Sequence, residues 1–318
     1  MVHYYHDPPL VIERFMDRNF FSTTRLLDGG MGQELLASGM LPKGTLWSAV
    51  ALQDPDLHQL VYQTHLDFIE AGSDVIVSNT FTTRRLRLRE NNVEDQFDEL
   101  NTIAGEIAKK VKCRYPQVMV AGGLPPQYAT YAADPRSEAE ITADFYDQAH
   151  LLTPFIDFFY LDVLSSFKEI QCAINVSRRM DKPFLVGIHI SQGCSLPSGE
   201  LLADVLSQIT SADCLGVILS CISPENYACN LSVLQSTTLP FGFKLNGFIT
   251  TQVDQGYEDS MKRHQGKNPL DFLGKREDLS PAGFFDWTKQ FYEQGATILG
   301  GCCETGPEHI HALEPLKD

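Results

Sequence analysis

Three of the eight cysteines stand where they could do chemistry together: Cys221, and the adjacent pair Cys302 and Cys303 near the C-terminal end. Thiolates are soft enough to select zinc over harder cations, and three of them leave a fourth coordination position for water or substrate, as in a catalytic rather than a structural site. A substrate thiol taking that position would lose its proton near neutral pH and become a nucleophile. Spacing alone does not decide the matter, because a pair plus one distant cysteine is no zinc-finger pattern and free cysteines also serve as small buried hydrophobes. Glycines flank the pair at Gly300, Gly301 and Gly306, which permits close backbone approach to a ligand. Cys113, Cys172, Cys194, Cys214 and Cys229 read as structural or incidental.

Positioning these residues requires a scaffold, and the sequence offers eight short apolar runs bounded by turn residues, at 25–28, 74–80, 117–123, 158–163, 184–190, 214–221, 240–246 and 296–303. Amphipathic stretches separate many of them, at 56–71, 94–111, 138–154, 166–180, 200–210 and 281–295. Alternating strand and helix implies parallel strands with right-handed crossovers, and eight strands close a (β/α)8 TIM barrel of the α/β class. A doubly wound open sheet is the other arrangement, but no Gly-x-Gly-x-x-Gly turn follows the first strand. The barrel is expected over 24–318 as a single domain, after an N-terminal extension at 1–23 that could cross the barrel bottom or mediate contacts. The segment 247–280 is the longest irregular stretch and carries Asp254, Gly256, Tyr257, Asp259, Lys267, Asn268 and Pro269.

In such a barrel the site lies at the C-terminal strand ends. Those ends carry Asp28 with Gly29, Asn79 with Thr80, Asp162, Cys221, Asn246, and Cys302 with Cys303. Asp28 has a second reading as the N-cap of a helix beginning near Met31. His189 closes the fifth strand and reads more readily as a hydrogen-bonded structural residue. Trp47 either packs a loop on the rim or offers a ring face to a cation.

The composition of 43% apolar, 10% aromatic and 21% charged residues supports a sizeable core, and the net charge of −16, spread along the chain, argues against a nucleic-acid partner. The run from Thr83 to Arg89, with arginines alternating with leucines, is the basic exception and reads as a helix face with snorkelling side chains rather than a phosphate site. Neither a secretory signal nor a membrane span is visible, so a cytoplasmic protein without membrane partners is expected. Eight cysteines are too few for a disulfide scaffold in a chain this long.

The stretch Gly300-Gly301-Cys302-Cys303-Glu304-Thr305-Gly306-Pro307-Glu308-His309-Ile310 resembles the C-terminal signature of the homocysteine S-methyltransferase family. The resemblance continues through the run from Leu26 to Leu35, the run from Ala71 to Phe81, and Gly216 to Glu225, and covers the chain in order from about residue 24. It implies a zinc barrel with Cys221, Cys302 and Cys303 as ligands, homocysteine as the thiol acceptor, and methyl transfer to sulfur giving methionine. It also implies that Asp28, Gly29 and Thr80 surround the amino-acid end of the acceptor and that Trp47 lies near the methyl donor, a sulfonium or quaternary ammonium.

Departures from the family pattern bear on both substrates. Asp162-Val163 stands where Glu-Thr is common, Gly122-Gly123-Leu124-Pro125-Pro126 where Gly-Ser-x-Gly-Pro is frequent, Leu219-Ser220-Cys221 where Val-Asn-Cys is frequent, and Lys244-Leu245-Asn246-Gly247 where Pro-Asn is common. Asp162 and Asn246 remain candidate substrate contacts. Two rival functions keep the metal: a zinc hydrolase or lyase with Glu304 or His189 as acid or base, and a non-catalytic thiol-binding barrel. The methyl donor and the oligomeric state are not legible.

Overall fold

Eight runs of the chain pair in parallel in the computed structural model, which describes residues 17, 19–210, 212–250 and 261–317. They are β1 (Arg25–Leu26), β2 (Val75–Val77), β3 (Met119–Leu124), β4 (Phe158–Leu164), β5 (Phe184–Ile188), β6 (Cys214–Ile222), β7 (Phe241–Leu245) and β8 (Ile298–Gly301), hydrogen-bonded in the order β1-β8-β7-β6-β5-β4-β3-β2. A parallel bridge from Leu27 to Val75 closes the ring between β1 and β2. Asp74 reinforces that short seam, accepting from the Leu26 amide at 2.8 Å and pairing with Lys317 at 2.8 Å. The chain is therefore the single (β/α)8 barrel that strand count and alternation predict.

Inside the barrel, inward and outward residues alternate. Along β4, Phe159 and Leu161 join the outer core against the helices, whereas Phe158 and Tyr160 join the inner one with Leu27, Val75, Ala121, Leu185, Leu215, Ile218 and Ile298. Phe21 plugs the N-terminal end of this inner core, fully buried and edge-on to Phe158, with its carbonyl accepting from Thr297. That contact lies in the described end of the segment expected as an extension; residues 1–16 and 18 are outside the described residues.

Helices cover the outside. The expected 56–71 helix runs His58–Glu70, 94–111 becomes Phe97–Arg114 after one 3-10 turn, and 200–210 shortens to Leu202–Gln208. Ser137, Ser166 and Ser223 cap the helices that follow β3, β4 and β6, each accepting from a backbone amide three residues on. The basic run forms a short helix, Arg85–Glu90, but only partly as expected. Arg85 and Arg89 reach Asp147 and Glu94 at the surface, while Arg84 and Arg87 are buried, Arg84 donating to the Thr130 hydroxyl at 2.9 Å. The 247–280 stretch contains a turn of helix at Leu270–Leu273 and an antiparallel bridge from Phe248 to Lys275. Asp254, Gly256, Tyr257 and Asp259 lie outside the described residues. No described helix is long and apolar enough to cross a membrane.

His65, on the inner face of the His58–Glu70 helix, is fully buried, and neither ring nitrogen has a hydrogen-bond partner among the described residues. Burial pushes its imidazole down to about 4, against the opposing pull of Asp28. A histidine kept neutral in the fold but near 6.5 when unfolded stabilises fully above that value, and its contribution is lost as pH falls toward 4. Urea unfolding at two pH values checks this: His65→Leu should lose about 2 kcal/mol less stability than the parent chain between about pH 7 and pH 5.

Candidate metal and thiol site

The three thiols meet at the C-terminal mouth of the barrel. Cys221 Sγ lies 3.9 Å from Cys303 Sγ, Cys302 Sγ lies 4.0 Å from Cys303 Sγ, and all three fall within 4.8 Å of one another. Tetrahedral zinc with Zn–S bonds of about 2.3 Å separates its sulfurs by about 3.8 Å, so the donor set fits that ion in softness and in spacing. Disulfide sulfurs would stand about 2 Å apart, and all eight cysteines are free.

Local backbone irregularity aims these side chains. The register between β6 and β7 shifts between Ser220 and Ile222, and Cys221 there takes a left-handed φ of 54°. The bulge breaks the in-out alternation and turns the thiol to the mouth while Ser220 keeps its inward place, bonded to Tyr160 Oη at 2.5 Å. Just beyond β8 the Cys302 amide donates to Leu245 and the Cys303 carbonyl accepts from Gly247, which ties the pair to the end of β7. The β1 turn packs on the other side: a Cβ on Gly30 would stand 2.5 Å from the Cys302 carbonyl oxygen, so only glycine allows the approach.

Below and beside the thiols opens a cavity with about 750 Å³ of atom-free space, including its mouth. Of the residues singled out in the sequence, Asp28, Gly29, Thr80, Asp162, Trp47 and the three cysteines all line it. Asn246 does not; it is buried, and its side chain accepts from the Phe248 amide at 2.9 Å, which shapes the turn after β7. His189 is also set back, its ring nitrogens engaged by the Ser220 carbonyl and the Ser191 hydroxyl, and burial pushes it down to about 4. Glu304 is buried away from the cavity wall, bonded to Gln33 and facing Lys275. The structural reading of His189 therefore holds.

Asp28 caps no helix, since Gly30 occupies the N-cap of Met31–Ala37. Its carboxylate is instead doubly held: one oxygen accepts from the Val77 amide at 2.7 Å, the other from Lys244 Nζ at 2.6 Å, and both side chains of the ion pair are almost fully buried. Lys244 enters the sequence reading only as part of a departure from the family pattern and not as a site residue; the clue is a cation on an otherwise apolar seventh strand. Burial opposes its charge, but Asp28, Asp162 and the Cys302 side chain outweigh that cost and hold it firmly protonated. Asp162 rises from the β4 floor, pushed up to about 7 by burial and by the Cys302 side, and held back by Lys244 and a Tyr160 hydrogen bond. Thr80 spends its hydroxyl on the Gly123 carbonyl at 2.7 Å.

Two aromatic residues of the wall also went unremarked. Phe81 stands edge-on to Trp47, and Tyr131 places its hydroxyl 2.9 Å from Cys221 Sγ with its ring on His189. Burial opposes ionisation of Cys221, but hydrogen bonds from Cys302, Cys303 and Tyr131 outweigh it and hold that thiol well below the ordinary range. Trp47 donates through Nε1 to Gln33 at 3.1 Å, and its indole lies flush against the first turn of the Met31–Ala37 helix, where a Cβ on Gly32 would come within 2.6 Å of it.

Comparison with known proteins follows the same lines. The profile of a family described as homocysteine S-methyltransferase matches residues 25–316. Homocysteine S-methyltransferase 1 of Zea mays is 25% identical over 92% of this chain and 93% of its own, and an S-methylmethionine–homocysteine S-methyltransferase of Pongo abelii is 25% identical over 85% and 72%. The metallated form of the homocysteine methyltransferase MmuM of Escherichia coli superposes with a TM-score of 0.76 at 22% identity, over 94% of this chain and 99% of that one, and so shares the fold.

The Gly32 contact is open to test. In a Trp287→Phe background, which leaves Trp47 as the sole indole, Gly32→Ala should displace the ring from the first turn of that helix; fluorescence emission shifted to longer wavelength is expected, and an unchanged spectrum would mean the ring does not rest there.

Proposed function

This chain belongs to the homocysteine S-methyltransferase family, and from that premise we propose that it transfers a methyl group from a cationic donor to the sulfur of homocysteine, with one zinc ion held by Cys221, Cys302 and Cys303. The observation that carries the proposal is the convergence of three thiols, pairwise within 4.8 Å, on the wall of a cavity that also holds a carboxylate and aromatic rings. Bound there, zinc would supply acidity, since a coordinated thiol is deprotonated at neutral pH. Everything else is the work of the chain's own residues.

Asp162 offers the acceptor ammonium a carboxylate at the cavity floor, and Gly29 and Thr80 shape the wall beside it. Tyr131 donates to Cys221 and thereby withdraws charge from one ligand. Trp47, Phe81 and Met31 form an apolar side that excludes water, and the indole face suits a sulfonium or quaternary ammonium donor through cation–π attraction. Held in line, acceptor and donor need no general base beyond the ionised thiol, so positioning supplies much of the acceleration. The working unit is taken as 24–318 together with the preceding turn whose Phe21 closes the inner core.

The rival hydrolase reading needs an acid or base at the cavity, and its two candidates, His189 and Glu304, do not line it. A non-catalytic thiol-binding barrel differs from the enzyme in one observable, donor-dependent turnover.

Metal analysis of reduced protein should give about one zinc per chain, and Cys302→Ala should lose most of it together with methionine formation from homocysteine and S-methylmethionine, the donor named for one relative. Protein that takes up no zinc, or that binds zinc and homocysteine but turns over with no sulfonium or betaine donor, would overturn the proposal.

A further inference from the structure

A substrate ammonium at Asp28 would have to share it with Lys244, because one oxygen accepts from Val77 N and the other from the buried Lys244 Nζ. Lys244 is in the opposite condition. Its ammonium has three hydrogens, one is given to Asp28, and no second acceptor lies within hydrogen-bond reach among the described residues. It lines the cavity, and it is the only lysine or arginine among the cavity-lining residues described. Its stem rises from an inward position of β7, in register with Ser220 on β6 and Gly300 on β8, and the missing side chain at Gly300 leaves space for it, the nearest stem carbon being 3.4 Å from where a Cβ would stand.

Across the floor stands Asp162, on the same strand as Tyr160, whose ring centroid is 5.9 Å from Lys244 Nζ. The cavity thus presents a cation on β7 and an anion on β4, strands three places apart in the ring, beside the thiol triad. An α-amino acid carries the complementary pair of charges on one carbon.

We propose that Lys244 is a specificity-determining residue that binds the acceptor's carboxylate while Asp162 receives its ammonium, so that the site selects thiols bearing both groups. The assignment rests on the thiol-acceptor reading given above and adds to it which wall each charge meets. A buried, cavity-facing lysine whose remaining donors meet no acceptor among the described residues has desolvation to recover, and a carboxylate recovers it with a charge-assisted bond. Asp28 then acts as a positioning residue, fixing the lysine rather than touching substrate.

The test uses the full chain loaded with cobalt(II) in place of zinc, whose thiolate absorption reports sulfur binding without turnover. Three acceptors are compared: homocysteine, homocysteamine, which lacks the carboxylate, and γ-mercaptobutyrate, which lacks the ammonium. The parent chain should bind homocysteine at least about tenfold more tightly than either analogue. Lys244→Met should weaken homocysteine and leave homocysteamine nearly unchanged, bringing the two within about threefold. Because that variant strands a buried carboxylate, the double variant Asp28→Asn/Lys244→Met is measured beside it, with the same expectation. Equal affinity of the parent for homocysteine and homocysteamine overturns the assignment whether or not the variants fold, as does an unaltered ratio in a folded variant. Failure of all three thiols to perturb the cobalt spectrum overturns the thiol-acceptor reading, and this assignment with it.

Discussion

Two strands that are not neighbours must deliver their thiols to one point, and much of the local structure follows from that demand. Adjacent strands stand about 4.8 Å apart, so β6 and β8, with β7 between them, are separated by roughly twice that. Yet Cys221 and Cys303 bring their sulfurs to 3.9 Å. Regular strands would not achieve this, since a thiol on the inward face would be lost in the packed barrel interior and one on the outward face would enter the helical layer. The bulge at Cys221 and the turn beyond Gly301 lift both groups to the rim, where side chains can lean across the end of β7.

The cost of that arrangement is visible in the backbone. Trp47, Tyr131, Val163 and Cys221, all lining the cavity, and Glu304, next to Cys303, take left-handed φ values between 47° and 63°. Such conformations are unfavourable for side-chain-bearing residues, and most of all for a β-branched one such as Val163, and they persist where the surroundings over-determine them. Here the surroundings are the bulged β4 and β6, the β1 turn pressed on the Cys302 carbonyl, and the aromatic packing of Trp47 on Phe81 and Tyr131 on His189. Seven non-glycine residues with positive φ occur among the described residues, and five of them belong to this one region, which marks it as the place where folding was compromised for placement.

Charge is handled in the same local way. The chain is strongly acidic as a whole, but its cavity floor balances a buried Asp28 against a buried Lys244 and leaves Asp162 facing them. A buried ion pair adds little net stability once desolvation is counted, and removing one member is costly. Its value lies in geometry, because Lys244 and Asp28 fix each other's position at the floor where a small polar molecule would lie.

The sequence by itself determined the barrel, because eight apolar runs separated by amphipathic stretches leave few other ways to bury both faces of each strand. It also determined the candidate thiols and the rim residues Asp28, Gly29, Thr80 and Asp162, since in a parallel barrel the end of each strand can be read from where its apolar run stops, whereas Trp47 was singled out only through the family resemblance. Tertiary structure alone decided what each of those residues is bonded to. Asp28 and Lys244 are 216 positions apart, and nothing in their spacing announces a 2.6 Å contact. Asn246 ends its strand as the others do but turns to its own backbone, and Arg84 and Arg87 alternate like surface residues yet are buried. Periodicity reports which face a side chain leaves the backbone from; its partner is set by strand register, bulges and turns, which depend on contacts between segments that the local sequence does not encode.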